Sequence, residues 1–493
     1  MAVCVSLGLM VVASALAADA PRALGDMKGN WQLFVDDYLV ESKDNVSLVY
    51  HSFVKDERNP ILVPDRPWEE DAVYLYGTVL PGEDGKGYRA WYHAYAEGEY
   101  RMLYATSADG IHWEKPSLGL VDYKGSKDNN LLFRFTHENH NPQVMHTPWE
   151  TDPNRRYKLI FFEYGRTPPN FTVCGYYGMT SPDGIHWSEV TKRPILVDSP
   201  GDVGNFVYDS IANRYVGWPK KFAEERGYRR RCIGFTETTD FESWPETELV
   251  LTPDAFDDRW LTPADVAKGA HTDFYGLCGF VYETMYLGFL WMFPITNGEN
   301  DGPCFVELAT CRDGKHWQRE EEPRPRLLDV GKPGTWDDGM VFTPNHPLVE
   351  GDTIKLFYGG FDETHGAGKA RACIGLATLR KDGFASLHAG ESEGTVETSL
   401  LDGTAGALSV NYAVRDGGGV RVEVLARNGS TVPGYGLDDC VPLNGDSVSE
   451  RVQWKGLDTL PQTSAPIRLR FVMTKADLYS FNAGSKARVV LLR

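Results

Sequence analysis

One short motif recurs five times along the chain at nearly constant spacing. It reads SADGIHW at 107–113, SPDGIHW at 181–187, TTDFESW at 238–244, CRDGKHW at 311–317 and RKDGF at 380–384. Its Asp residues are 109, 183, 240, 313 and 382, so successive copies lie 74, 57, 73 and 69 positions apart. Self-similar units of this length indicate a repeat architecture with one small sheet per repeat.

Each copy of the motif follows a strand-like run, and two further strand-like runs lie upstream of it. The Asp-Gly pair favours a tight hairpin turn, because Gly accepts positive φ and the Asp side chain caps the turn. We expect the Trp of the motif to begin a fourth strand and to pack between neighbouring blades. With 12% aromatic residues, 50 Gly and 29 Pro, the pattern predicts an all-β fold, with a five-bladed β-propeller over residues 71–390.

The pattern changes at both ends of the repeats. A stretch rich in Gly, Ser, Glu and Thr near residue 390 indicates a domain seam, and the alternating strands after it predict a β-sandwich over residues 395–493. Residues 18–70 contain further strands, and we expect these to pack on the outside of the propeller or to help close its ring.

The N-terminal residues have the pattern of an export signal. Residues 2–17 form a short apolar run that ends in Ala15-Leu16-Ala17, the small-x-small pattern of a signal-peptidase site. We therefore expect a signal peptide over residues 1–17, a secreted or periplasmic protein and no membrane span, since the run is shorter than the roughly 18 apolar residues that spanning requires.

Charge and cysteine content exclude several classes of function. A formal charge of −19 argues against nucleic acid and anionic membranes as partners, because both require a concentrated positive surface. No spacing typical of a metal site is present, and we expect no cofactor, although a cation held by carboxylates in the propeller funnel would leave no local signature. Cys304 and Cys311 either form a disulfide or are small buried apolar residues.

Several local strings resemble the clan of five-bladed glycoside hydrolases that contains families 32 and 43, and most closely a group of secreted bacterial family-32-like proteins. These strings are NPILVPDRPWEED, the DG-x-x-W turns, HTDFYGL, LGFLWMFP and WDDGMVFTPNHPLVEGDTIKLFYGGFDETHG. The resemblance covers roughly residues 30–390 and implies a carbohydrate substrate. The Trp-Met-Asn-Asp-Pro-Asn-Gly string of invertases is absent, so the chemistry implied is an analogy.

Polar residues at the start of each innermost strand are expected to converge on the axial funnel of a propeller. In chain order these are Asp71, Asn141, Asp202, Asp273, and Asp337 or Asp338. Cleavage of a glycosidic bond needs two carboxyl groups, one acid and one base or nucleophile.

In the resembled enzymes the essential carboxylates come from blades one, three and four. That correspondence implies Asp71 as base or nucleophile, Asp202 as an orienting partner and Asp273 as the acid. Glu163 and Glu283 are the reserve candidates.

Other residues are candidates for substrate binding. Aromatic rings stack on sugars, and basic residues recognise carboxylate or sulfate groups. The aromatic and histidine candidates are Tyr74, Trp91, His93, Tyr275, Trp291 and His365, and the acidic ones are Glu163, Asp338 and Asp362. The basic candidates are Lys220, Lys221, Arg229, Arg230 and Arg231, with Arg230 taken as the representative.

The sequence thus predicts a secreted glycoside hydrolase acting on a poly- or oligosaccharide through carboxylates in the propeller funnel. The alternatives are a glycoside phosphorylase of the related propeller type, which would need inorganic phosphate and basic residues in the funnel, and a non-catalytic glycan-binding propeller. Carboxylates that are salt-bridged would favour the binder. The sequence leaves the sugar, the linkage and the oligomeric state open.

Overall fold

The computed structural model describes residues 31–135, 138–164, 174–197, 201–296, 300–320, 324, 326–484 and 487–489. The expected signal peptide lies outside these residues.

Five antiparallel sheets form the blades of a propeller. From the axis outwards, the strands of blade one are Val73–Pro81, Tyr88–Ala96, Glu99–Ser107 and Trp113–Glu114, and those of blade two are Asn139–His146, Tyr157–Glu163, Gly175–Ser181 and Ser188–Glu189. Blade three consists of Gly204–Asp209, Arg214–Glu225, Tyr228–Thr238 and Glu248–Leu251, and blade four of His271–Tyr282, Met285–Ile295, Phe305–Cys311 and Arg326–Leu328. Blade five consists of Met340–Phe342, Thr353–Phe361, Ala372–Arg380 and Val54–Lys55. Leu131–Arg134 adds to blade one and Leu348–Glu350 to blade five. The predicted five-bladed architecture is confirmed.

Hydrogen bonds between innermost strands join the blades around the axis. The main-chain N–H of Gly204 in blade three donates to Asn141 Oδ1 in blade two at 2.8 Å. Asn205 of blade three donates from Nδ2 to the carbonyl of Gly279 in blade four at 2.6 Å. These bonds satisfy main-chain groups that the four-stranded sheets leave unpaired at their inner edges.

Residues from before blade one complete blade five. Val54–Lys55 pairs with Ala372–Arg380 as the outermost strand of that blade. The ring therefore closes by strand pairing between distant parts of the chain, which is one of the two roles expected for the N-terminal segment.

The recurrent turns have the geometry that the motif predicts. In blade one, Asp109 Oδ1 accepts the main-chain N–H groups of Ile111 and His112, each at 2.8 Å, and Gly110 has φ of +80°. Trp113 packs edge-on against Phe357 of blade five with ring centroids 5.6 Å apart. The turn thus caps its own hairpin and places an aromatic ring between two blades.

A second domain forms around one continuous ten-stranded sheet that encloses its own apolar core. Its strands are Gln32–Leu33, Val40–Asp44, Ser47–Tyr50, Ala385–Ala389, Gly394–Thr398, Leu401–Asp402, Ser409–Ala426, Asp446–Arg451, Ile467–Asn482 and Arg488–Val489. The β-sandwich after the propeller is therefore present. It contains three strands of the N-terminal segment, which was expected to pack on the propeller or to help close its ring.

The fifth motif copy differs from the others because of this second domain. Asp382 adopts φ of +58°, and the strand that follows it, Ala385–Ala389, pairs with Ser47–Tyr50 and Ile467–Asn482. The turn consequently leads out of the propeller, and no Trp-led fourth strand follows it.

Helices are few in the described part of the chain: one α-helix, Pro263–Ala267, and three 3₁₀ turns, Asp37–Leu39, Pro153–Arg155 and Phe256–Asp258. None of the described helices has the length and apolarity needed to cross a membrane. Cys304 and Cys311 are both free and buried, so of their two expected roles the apolar one is correct.

Candidate functional site

Side chains from blades three, four and five meet at the face of the propeller where the innermost strands begin. We call the group formed by Asp202, Lys220, Arg231, His271, Asp273, Tyr275 and His365 the front cluster. Two ion pairs occupy its centre, and each joins a carboxylate near the start of an innermost strand to a basic residue of blade three.

The first ion pair is between Asp202 and Lys220. Lys220 Nζ lies 2.6 Å from Asp202 Oδ1 and 4.6 Å from the centroid of the Tyr275 ring, and the lysine side chain is 4% exposed. Burial acts to raise the pKa of Asp202, but the nearby Lys220 and His140 and a hydrogen bond from Tyr164 outweigh it and hold the pKa well below its usual range. Asp202 is consequently ionised at neutral pH.

The second ion pair is between Asp273 and Arg231. The guanidinium NH1 of Arg231 lies 2.7 Å from Asp273 Oδ2, and Asp273 is 1% exposed. The other oxygen, Oδ1, lies 3.4 Å from His271 Nε2. His271 in turn stacks on the ring of Tyr228, with centroids 4.3 Å apart and planes 17° from parallel.

A loop of blade five closes over the cluster. His365 Nε2 lies 3.1 Å from the hydroxyl of Tyr275, and His365 Nδ1 lies 2.9 Å from the carbonyl of Asn300 in blade four. The main-chain N–H of Gly366 donates to Asp301 Oδ1 at 2.8 Å. Blades four and five therefore form one continuous wall on this side of the cluster.

Four rings in blades one and two form a second wall, which we call the aromatic wall. Ring centroids along it are 4.8 Å apart from Tyr95 to Tyr100, 4.6 Å from Tyr100 to His140 and 5.3 Å from His140 to Tyr164. Tyr95 and Tyr164, at its two ends, are each 45% exposed. Because the Tyr164 hydroxyl hydrogen-bonds Asp202, the wall leads from the rim to the front cluster.

Asp71 lies apart from the two central ion pairs. Its carboxylate forms an ion pair with Lys369 in the loop of blade five, and about half of its side chain is exposed. Hydrogen bonding and charge from Lys369 hold the pKa of Asp71 below its usual range. The structure thus places Asp71 at the rim, whereas Asp202 and Asp273 share the field of Lys220.

Two aromatic candidates, Trp91 and Trp291, are buried and donate hydrogen bonds within the fold. Trp91 is completely buried and donates from Nε1 to the carbonyl of Gly184 at 2.7 Å. Trp291 is 1% exposed and donates to Thr343 Oγ1 at 3.0 Å. Their rings have no face open to a sugar.

Arg230 and Glu283 likewise bind other parts of the fold. Arg230 is 1% exposed and binds Asp258 through both terminal nitrogens, at 2.9 and 2.7 Å. Glu283 lies at the far end of the innermost strand of blade four and accepts the main-chain N–H of Trp31 at 3.0 Å. The neighbouring Arg231, rather than Arg230, faces the front cluster.

The candidates from blade five have local partners. Asp338 accepts the main-chain N–H of Gly334 at 2.5 Å, and Asp362 accepts that of Arg371 at 2.7 Å. Asp337, the alternative to Asp338, is buried and binds Lys55 of the closing strand at 2.5 Å. These carboxylates stabilise the loops and the closure of blade five.

The remaining candidates, Tyr74, His93 and Glu163, are buried in blades one and two. Tyr74 and His93 are buried, with ring centroids 5.6 Å apart. Burial and the nearby His140 lower the pKa of His93 to about 3, so its ring is neutral at physiological pH. Glu163 is completely buried opposite Asn139.

Sequence reasoning overlooked Tyr164, Tyr100, His140 and His271. The signal for His271 was available, because it precedes Asp273 by two positions on one strand and alternate residues of a strand share a face. Tyr100 and Tyr164 lie at strand ends of blades one and two, Tyr100 half-buried and Tyr164 exposed. Nothing in their local sequence marks them as neighbours.

No group of three or more His, Cys, Asp or Glu side chains suited to a metal ion occurs among the residues that the structure describes. Two surface cavities of about 360 and 370 Å³ lie away from the front cluster. One contains Asp36 and Arg319 at the junction with the second domain, and the other contains Arg89 and His146 between blades one and two.

By its strand pairing the chain is a five-bladed β-propeller joined to a β-sandwich. No protein-family model matches it, and neither does any curated protein. Among solved structures, an N-acetylgalactosamine deacetylase from F. plautii is 15% identical, covers 69% of this chain and 96% of its own, and has a TM-score of 0.45.

Two further solved structures are similar at the same level. A structure reported for the GH130 family of mannoside phosphorylases, containing hydrolases of β-1,2 mannosidic linkages in Candida mannan, is 14% identical over 67% of this chain and 94% of its own, with a TM-score of 0.44. The β-1,2-mannobiose phosphorylase from Listeria innocua is 11% identical over 67% and 97%, with a TM-score of 0.44. Each is named for activity on glycans, and we transfer none of these activities to the present chain. The resemblance to families 32 and 43 stays a prediction.

Proposed function

We propose that this protein is a secreted or periplasmic glycoside hydrolase that cleaves an oligo- or polysaccharide at the front cluster. The observation that carries the proposal is the placement of two carboxylates with different partners, Asp202 and Asp273, within the field of one buried lysine, Lys220. Hydrolysis of a glycosidic bond uses two carboxyl groups held in different environments.

The two carboxylates suit different roles. Asp202, ionised through Lys220, suits the base or nucleophile, which must carry a negative charge when the bond breaks. Asp273 faces a histidine as well as Arg231, and it suits the transfer of a proton. In this assignment Asp202 takes the role of base or nucleophile, which the resemblance gave to Asp71.

The aromatic wall supports a sugar substrate. Sugar rings present apolar faces that stack on aromatic side chains, while their hydroxyl groups need polar partners beside them. Tyr95 and Tyr164 offer exposed rings, and the Tyr164 hydroxyl lies against Asp202. A glycan lying along this wall would bring one linkage to the front cluster.

Two observations favour competing functions. Lys220 and Arg231 provide the basic residues expected in a phosphorylase, in which inorganic phosphate replaces water. Conversely, each of the three carboxylates predicted to be catalytic carries an ion pair, with Lys369, Lys220 or Arg231, which favours a non-catalytic glycan binder.

The test is a screen of the purified protein on defined glycans, with and without inorganic phosphate, read by reducing-sugar release and by product chromatography. We expect hydrolysis without phosphate, and its loss in Asp202→Asn and in Asp273→Asn. The matched control is Asp152→Asn, which removes an exposed carboxylate that caps the turn Pro153–Arg155.

Three outcomes would contradict the hydrolase. Sugar release that survives both substitutions would remove the front cluster from catalysis. A strict requirement for phosphate would identify a phosphorylase. Binding of a glycan with no turnover, weakened by either substitution, would identify the binder.

A further inference from the structure

The two histidines of the front cluster have the same tautomer when neutral. His271 Nδ1 lies 2.8 Å from the carbonyl of Gly269, and His365 Nδ1 lies 2.9 Å from that of Asn300. A carbonyl oxygen only accepts hydrogen bonds, so each Nδ1 must carry a hydrogen. In a neutral imidazole the other nitrogen, Nε2, is then an acceptor.

The two Nε2 atoms meet opposite partners. His365 Nε2 faces the hydroxyl of Tyr275 at 3.1 Å, and this hydroxyl can donate to it. His271 Nε2 faces Asp273 Oδ1 at 3.4 Å, and an ionised carboxylate can only accept. With a neutral ring, two hydrogen-bond acceptors would lie side by side in a buried site.

One carboxylate oxygen of Asp273 lacks a hydrogen-bond donor in the part of the chain that the structure describes. Asp273 Oδ1 is buried and has no hydrogen-bond partner among the described residues, although its partner oxygen Oδ2 is bound by Arg231 at 2.7 Å. Leaving a buried charged oxygen without a donor costs a few kcal/mol. A proton on His271 Nε2, 3.4 Å away, would place a positive charge beside this oxygen.

The groups around the pair determine where the proton is held. Arg231 of blade three binds Asp273, and the buried Lys220 adds a second positive charge nearby. Tyr228 covers one face of the imidazole. Burial, and after it the charge of Asp273, raises the pKa of the nearby Cys232 thiol. The intervening Thr272 donates its main-chain N–H to Asp258 at 2.9 Å, and Asp258 forms an ion pair with Arg230.

We propose that His271 is held as an imidazolium at neutral pH and forms an ion pair with Asp273, so that this pair stores one proton beside the ionised Asp202. His271 is a positioning residue that acts through Asp273. The role of His271 in catalysis rests on the proposed hydrolase function, whereas its proposed charge does not depend on that function.

In the hydrolytic reaction the stored proton has a defined course. It moves from His271 through Asp273 to the glycosidic oxygen as the bond from that oxygen to the anomeric carbon breaks and the bonding electrons remain on the oxygen. A water molecule supplies hydroxide to the anomeric carbon, and Asp202 takes the remaining proton of that water. This proton returns to the pair through solvent, so no other reactant is consumed.

The charge is measured on the free protein by the ring ¹⁵N chemical shifts of labelled histidine, assigned with His271→Gln and His365→Gln. At pH 7 we expect both nitrogens of His271 to be protonated. His365 is the internal control, and we expect it to be neutral with its hydrogen on Nδ1. In Asp273→Asn the carboxylate is gone, and we expect His271 to become neutral at the same pH.

A neutral His271 in the wild-type protein at pH 7, or a charge unchanged by Asp273→Asn, would overturn the proposal. This result is independent of turnover, so a failed glycan screen would not affect it. Where hydrolysis is found, His271→Gln keeps a donor for Asp273 but has no proton to give. We then expect kcat to fall about 100-fold and the loss of activity on the basic side of the pH profile to disappear. Unchanged kcat and an unchanged profile would remove His271 from the reaction.

Discussion

Replacing Lys220 by methionine tests the electrostatic centre of the front cluster. The substitution keeps most of the side-chain volume but removes the ammonium group that lies 2.6 Å from Asp202, in a pair whose side chains are 4% and 21% exposed. At that distance and an effective dielectric constant of about 20, the attraction between the charges is roughly 6 kcal/mol before the cost of desolvation. Its loss would leave Asp202 without its principal counter-charge.

Protonation of Asp202 limits the loss of stability in Lys220→Met. A carboxyl whose unfolded pKa is about 3.9 can be kept neutral in the folded state at pH 7 at a cost of about 4 kcal/mol, and at pH 5 at about 1.5 kcal/mol. The free energy of unfolding of Lys220→Met should therefore be lower than that of the wild type by up to about 4 kcal/mol at pH 7. The deficit should shrink by up to about 2.5 kcal/mol when the pH falls to 5.

The direction follows from proton linkage. In the wild type the pKa of Asp202 is depressed, so its contribution is constant from pH 5 to 7 and is lost only as the pH falls through the folded pKa. In Lys220→Met the folded pKa is raised above the unfolded one, so the folded state binds more protons and stability falls as the pH rises.

Urea unfolding followed by tryptophan fluorescence at pH 5, 6 and 7 measures these differences. The matched control is the double variant Lys220→Met/Asp202→Asn, which has no carboxyl to titrate and should show no pH-dependent deficit. A deficit below about 0.5 kcal/mol in Lys220→Met, or one that does not change with pH, would refute the electrostatic reasoning.

Two further predictions concern the propeller itself. Gly279→Ala should lower the free energy of unfolding by about 1–3 kcal/mol, because the new Cβ would lie 2.7 Å from the rigid ring of Trp218; urea unfolding checks this, and Gly368→Ala, whose Cβ meets nothing within 4 Å, should be neutral. Lys55→Met should cost about 2 kcal/mol, because it leaves the buried Asp337 without the cation of the closing strand. An unchanged urea midpoint for Lys55→Met would show that this ion pair does not stabilise ring closure.

The blade architecture could be predicted because its signals are local. A tight turn needs positive φ at the position that Gly110 occupies, and a repeated turn of this kind fixes where each blade has its third and fourth strands. The same reasoning gave the start of each innermost strand, and so selected Asp202 and Asp273. These two residues lie in one cluster because the ring repeats the same strand position.

The partners of those residues could not be predicted. Arg230 and Arg231 are adjacent in the sequence and chemically identical, yet one binds Asp258 in the connection between blades three and four and the other binds Asp273 in blade four. Strand alternation sends them to opposite faces, but the sequence does not say which face meets the next blade. The structure therefore places Arg231, and not Arg230, in the front cluster.

Taken alone, the sequence determined the number of blades and the chemistry of their turns, because each depends on residues within one hairpin. The tertiary structure decided which strands close the ring, which N-terminal strands join the second domain, and which base pairs with which acid. Those outcomes depend on contacts between residues far apart in the chain, as when Val54–Lys55 completes blade five. Their free energy comes from burial and ion pairing that exist only once the ring has closed.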